Sequence, residues 1–156
     1  MRYLLAFILA YIQLALADPT PPGLTYLYTV NATLGTSIDV GTGPEGQRTV
    51  IPITGGTFSG PKLSGIVLNL GADWALTDQY GTSHPDTRYQ LQTDDGANIF
   101  IRTNGPAQAD GHIHLRTTFE TGHEDYYWLN NVVAVGILTS GTGYVVIDTW
   151  QLVSPA

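Results

Sequence analysis

From Leu24 onward apolar and polar residues alternate with a period of two, the signature of strands with one buried face. Leu24 to Leu34 places Tyr26, Tyr28 and Val30 on one face, with Thr25, Thr29, Asn31 and Thr33 on the other. Val50 to Thr54 is short and interrupted by Pro52, so it reads as an edge or the start of a strand. Leu63 to Leu70 is a second apolar run, and Thr87 to Thr93 and Ala97 to Thr103 flank Asp94-Asp95-Gly96, a hairpin signal. His112 to Phe119, Val132 to Leu138 and Gly143 to Val153 complete the set. No window carries helical spacing over three turns; Asp125 to Val135 has room for a turn or two. Seven or eight such runs joined by Gly, Asn and Asp mean a sandwich or a closed barrel. Gly65, Gly136 and the Gly55-Gly56 pair suit the corners of a barrel, where a side chain would block the bend. The expected fold is therefore all-β, a single antiparallel barrel with little or no helix.

The N-terminus changes where that barrel is expected to work. Met1 to Ala17 has a positive start at Arg2, an uncharged stretch from Tyr3 to Leu16 whose one polar residue is Gln13, and a small-x-small ending at Ala15-Leu16-Ala17. The run is shorter than the roughly 20 residues a bilayer span needs. It reads as a cleaved signal peptide, with Asp18 to Ala156 as one domain delivered to the secretory-pathway lumen or the exterior. The chain has no cysteine, so burial alone must hold it together. Asn31-Ala32-Thr33 is a glycosylation sequon, which would put Asn31 in solvent. A net charge of −7, a pI near 4.7 and a single lysine, Lys62, exclude nucleic acid as a partner. They also disfavour anionic membrane surfaces once the signal is removed. An edge such as Val50 to Thr54 offers a route to a homodimer, which Pro52 opposes.

Candidate chemistry narrows quickly. His112-x-His114 sets two imidazoles on one side of a strand, with Glu120, His123 and Glu124 nearby. The same two histidines alternate with Ile113 and Leu115 as on any solvent-facing strand, and the late strands offer no further histidine. No metal site is expected. Asp94-Asp95-Gly96-Ala97-Asn98 lacks the spacing and downstream glutamate of a calcium loop. There is no Gly-x-Ser-x-Gly elbow, no thiol and no glycine loop ahead of a helix, so no cofactor is expected. Aromatic and polar residues at strand ends remain: Asp73-Trp74, Tyr80, His84, Arg88-Tyr89, Phe119, Tyr126-Tyr127-Trp128 and Trp150. Asp73 places a carboxylate beside a flat ring. Arg88 shares a face with Gln90 and Gln92, which is solvent if Tyr89 and Leu91 point inward and a pocket lining if the barrel is wet.

Four motifs in order resemble the family catalogued as domain of unknown function 3237, with the UPF0311 proteins. They are Gly55-Gly56-Thr57-Phe58-Ser59-Gly60-Pro61, Gly71-Ala72-Asp73-Trp74, the run from Arg88 through Asp95 to Ala97, and Tyr127-Trp128-Leu129-Asn130. With its signal peptide and sequon, the chain looks like a secreted fungal branch. The resemblance implies a closed or nearly closed barrel, similar to those of the allene-oxide-cyclase and dirigent kind. Its patterned residues fall here on Asp73, Arg88, Asp95 and Asn130, and on Trp74, Tyr89, Tyr127 and Trp128. After Gly105 the chain departs from the pattern, and the strand that follows carries His112 and His114.

Within that frame the expected function is a cofactor-independent enzyme of secondary metabolism, acting on a small apolar or aromatic polyketide or terpenoid. A cyclase, isomerase or dehydratase, including a hetero-Diels–Alder catalyst, fits. Trp74, Tyr89, Phe119, Tyr127, Trp128 and Asn130 would bind the substrate and restrict it to a reactive conformer. Arg88 or His114 would donate a hydrogen bond to developing charge. Asp73 would act as a general base if burial beside Trp74 raises its pKa. The alternatives are a secreted lipocalin- or dirigent-like carrier without chemistry, distinguished by whether a titratable group faces the cavity, and a surface protein without a cavity.

Overall fold

Alternation along the chain becomes a sheet that closes on itself. The computed structural model describes residues 18–155; the signal-peptide assignment lies outside them. The strands are β1 (Gly23–Leu34), β2 (Ile38–Gly43), β3 (Gly46–Ser59), β4 (Ser64–Thr77), β5 (Ser83–His84), β6 (Asp86–Thr93), β7 (Asn98–Asn104), β8 (Ile113–Glu120), β9 (Ala134–Ser140) and β10 (Tyr144–Val153). They run in the order β3-β1-β10-β9-β8-β7-β6-β4, and β4 pairs back onto β3, so an eight-stranded antiparallel barrel is closed. Short β2 and β5 extend β3 and β4 outside that circuit. Closure removes the exposed edges of an open sheet.

Two long strands correct the expectations. Val50 to Thr54 is no edge: it lies inside the 14-residue β3, where Val50 pairs with Ile38 on one side and Trp74 on the other. Pro52 is tolerated because the ladder to β4 shifts register between Pro52 and Gly56, while its carbonyl accepts the Gly35 N–H at 2.8 Å. Leu63 to Leu70 covers only the first half of β4. Val67 pairs with Leu91 and Gly71 with Tyr89, so β4 carries two more residues than β6 across that step. Gly71 adopts φ +124°, and a Cβ there would stand 2.2 Å from the Arg88 carbonyl oxygen. The glycine of the Gly-Ala-Asp-Trp motif is therefore required by close strand approach.

The Asp94-Asp95-Gly96 hairpin forms between β6 and β7, with Thr93 N–H donating to Ala97 O at 2.9 Å. Asp95 fixes it by accepting from Tyr126 Oη at 2.9 Å and from the Thr93 hydroxyl. The weak helical window holds one short 3-10 helix, Glu124–Asn131, which drops Leu129 into one end of the barrel. There Tyr28 meets Phe58 and Phe119 edge-on, at ring centroids of 5.9 and 6.2 Å. Leu91, Ile99 and Ile101 complete this buried packing.

Candidate active site

At the end of the barrel away from the helix the inward side chains are smaller. Ala32, Ile53, Ala75, Leu138 and Ile147 line a cavity of about 320 Å³. Leu34, Ser83, Ile113, Gly141 and Tyr144 complete its lining toward the strand ends. The volume is at the lower limit of sites that hold small molecules. The wall is mostly apolar, so its few polar groups decide what orientation a ligand takes.

Asp73 is the carboxylate of that wall. Past the bulge in β4, alternation turns Asp73 and Ala75 into the lumen and Trp74 outward. Burial raises the Asp73 carboxyl above its ordinary 3.8, against the pull of the Asp86 amide, which donates to Oδ1 at 2.9 Å, and of the Thr87 hydroxyl. The barrel interior supplies that burial, since Trp74 lies on the opposite face. Asp73 also begins a row of polar side chains crossing the interior. It pairs with Thr87, Thr87 with Thr103, and Thr103 with Thr117, all three threonines buried. Two residues along β6 from Thr87, Tyr89 joins the lumen wall, and burial pushes its phenol well above the usual range.

The other expected site residues are dispersed. Strand β6 alternates strictly, with Tyr89 and Leu91 inward, so Arg88 is outside. It pairs with Asp86 at 3.3 Å, and its guanidinium sits 5.5 Å from the Trp74 ring centroid. His114 is exposed on β8 for the same reason, because Leu115 and Thr117 take the interior. Phe119 is buried against Tyr28 in the filled end, away from the cavity. Tyr127 is 58% exposed on the helix, and Trp128 packs over the filled end with Lys62 5.3 Å from its ring. Asn130 is a brace: its side chain accepts from Thr121 N–H at 3.0 Å and donates to Thr121 O at 2.8 Å. Asn31 is exposed on β1. Among the described residues no three His, Asp or Glu side chains gather as a metal-binding group. His112 instead contacts Asp110 at 3.3 Å, and His123 packs on Tyr126.

Of the expected site, the structure brings Asp73 and Tyr89 together in one cavity. The residues missed were inward threonines (Thr87, Thr103, Thr117 and Thr149) and Tyr28. Their signal was a polar residue on the apolar side of a strand.

Comparison with known proteins agrees with this geometry. The model of the family described as protein of unknown function DUF3237 matches residues 22–152. The chain is 31% identical over 134 residues to the hydroalkoxylation enzyme phnH of Penicillium herquei, covering 86% of each chain. It is 32% identical to a UPF0311 protein of Rhodopseudomonas palustris, over 81% of this chain and 94% of that one. A crystal structure of a beta-barrel like protein from Acinetobacter baumannii superposes with a TM-score of 0.81 at 36% identity, over 86% of this chain and 98% of the other. The chain belongs to the DUF3237 family of β-barrel proteins.

Proposed function

We propose that this protein is a cofactor-independent enzyme of secondary metabolism that adds a substrate's hydroxyl group across a carbon–carbon double bond of the same small apolar molecule. One observation carries the reading: Asp73, a partly buried carboxyl whose pKa burial raises, faces a mostly apolar cavity. The similarity to an enzyme named for hydroalkoxylation supports the reaction class. A carrier would be served by the apolar wall alone; a buried titratable group is what chemistry adds.

The step balances without a redox partner. The protonated Asp73 carboxyl gives its proton to one alkene carbon as the π bond breaks. The hydroxyl oxygen bonds to the other carbon, and its proton returns to the carboxylate. One C–O and one C–H bond form, and the enzyme is regenerated. The Asp86 amide and Thr87 hydroxyl hold the carboxylate formed midway. Apolar walls such as Ile53, Leu138 and Ile147 would fold the substrate so that hydroxyl and alkene meet. Arg88 and His114, on the outer face, take no part in this step.

Incubating the protein with 2-allylphenol and alkyl-substituted homologues in D2O tests it. The expected product is a cyclic ether carrying one carbon-bound deuterium, formed by the parent protein and not by Asp73→Asn. No acceleration across the panel, or equal acceleration by Asp73→Asn, would overturn the proposal. Export to the secretory pathway remains part of the proposal. The exposed Asn31 leaves room for a glycan, and a glycosidase-sensitive mass on protein from a eukaryotic host is the expected result.

A further inference from the structure

Beneath the cavity lies a group of hydroxyls that the fold does not use. Tyr28 and Thr149 are register partners on β1 and β10, and Thr149 is in turn partnered by Gly136 on β9. A Cβ on Gly136 would lie 3.4 Å from Thr117 Oγ1, which places the Thr117 hydroxyl over the space the glycine leaves. The Tyr28 hydroxyl lies beside those of Thr149 and Tyr89. Yet Tyr28 Oη, Thr117 Oγ1 and Thr149 Oγ1 are all buried and make no hydrogen bond of normal length and angle among the described residues. All three residues are at most 2% exposed.

Leaving a buried hydroxyl unpaired is costly, whereas an apolar side chain of the same shape is not. Phe at position 28 or Val at position 149 would fill the same space with no orphan oxygen. Folding alone therefore gives no reason for this cluster, and Tyr89, which stands beside Tyr28, lines the cavity wall. We infer that the floor of the lumen is a second polar subsite, where Tyr89, backed by Tyr28 and Thr149, donates a hydrogen bond to a carbonyl or phenolic oxygen of the ligand. The inference rests on the lumen being the ligand site, as proposed above.

The chemistry selects an acceptor. Burial keeps both phenols protonated. Neither becomes a phenolate at ordinary pH, so Tyr89 offers the ligand an O–H. Tyr28 and Thr149 are positioning residues: they pack behind the Tyr89 side chain and do not line the cavity. Tyr89 stands two residues from Thr87, the partner of Asp73, a rise of ~7 Å along the strand. The ligand class is thus a flat apolar skeleton of roughly fused-bicyclic span, with its reacting hydroxyl and alkene at the Asp73 corner and an acceptor oxygen at the floor.

Calorimetric titration with 1-tetralone, 1-naphthol and tetralin tests this, because the three share a skeleton and differ in the oxygen. At least one of the oxygenated probes should bind about fivefold more tightly than tetralin, the worth of one net hydrogen bond. Whichever leads identifies the oxygen as carbonyl or phenolic. Tyr89→Phe should erase the preference while leaving tetralin affinity unchanged, which also reports that the variant is folded. Tyr28→Phe and Thr149→Val should each reduce the preference part of the way, an effect that a merely structural role would not produce. Asp73→Asn should keep it. Equal affinity for all three probes, or a preference that survives Tyr89→Phe, would overturn the subsite and leave the Asp73 chemistry standing. Absence of binding by every probe, tetralin included, would overturn both.

Discussion

The two ends of the barrel interior are built on the same eight strands and differ in what fills them. At the helix end Tyr28, Phe58, Phe119 and Leu129 meet at ordinary packing contacts. At the other end Ala32, Ala75, Ser83, Ser140 and Gly141 occupy wall positions, and a cavity remains. Small side chains at these wall positions leave room that the aromatic rings fill at the other end. The filled end carries stability and the open end is free to carry an ionisable group, because Asp73 there costs stability without breaking a packed core.

That contrast can be broken from either side. The largest expected effect is chemical: Asp73→Asn keeps the Asp86 N–H acceptor and should lower turnover of a hydroxy-alkene by about 10²–10⁴-fold, the usual worth of a positioned acid–base group. Turnover by the parent should also fall as pH rises through the raised Asp73 pKa, because the acid form delivers the proton. Next, Phe119→Ala in the filled end should cost about 3–5 kcal/mol, read as a lower midpoint in urea. Ala75→Phe in the open end should abolish tetralin binding and leave the protein folded by circular dichroism.

Smaller effects sharpen the same comparison. The folded-state pKa of Asp73 lies above its ordinary 3.8. Its contribution to stability is thus intact below pH 3.8 and is lost as pH rises through the folded value. Asp73→Asn should therefore melt higher than the parent at neutral pH, with the gap closing in acid. The smallest change is expected outside the barrel: Arg88→Ala removes a stack on Trp74 and a half-exposed pair with Asp86. It should cost under about 1 kcal/mol and leave ligand affinity unchanged.

Much of this was legible from the chain, for physical reasons that also mark where legibility stopped. Strict alternation in β6 and β8 exposed those strands, and Asp-Gly at 95–96 exposed the hairpin between β6 and β7. Strand β2 was invisible because none of Ile38–Gly43 is buried, so no face is marked by the pattern. The second half of β4 was missed because the bulge between Val67 and Gly71 interrupts its alternation. Asp73 and Tyr89 could be singled out as polar or aromatic residues at strand positions. Alternation alone does not say which face is the lumen, and the structure turns Arg88 and His114 to the outside. Thr103, Thr117 and Thr149 escaped because threonine is also an ordinary strand former; only closure of the barrel brings their hydroxyls inside.

Asp73 ties these observations together as a carboxyl whose pKa is raised by burial in a mostly apolar lumen. Titrating its side-chain carbon by NMR, in 13C-labelled protein with and without tetralin, tests that claim most directly. A midpoint above 3.8 is expected in the free protein, with a further rise when the probe displaces solvent from the cavity. A midpoint at or below 3.8, or one that ignores bound tetralin, would contradict it.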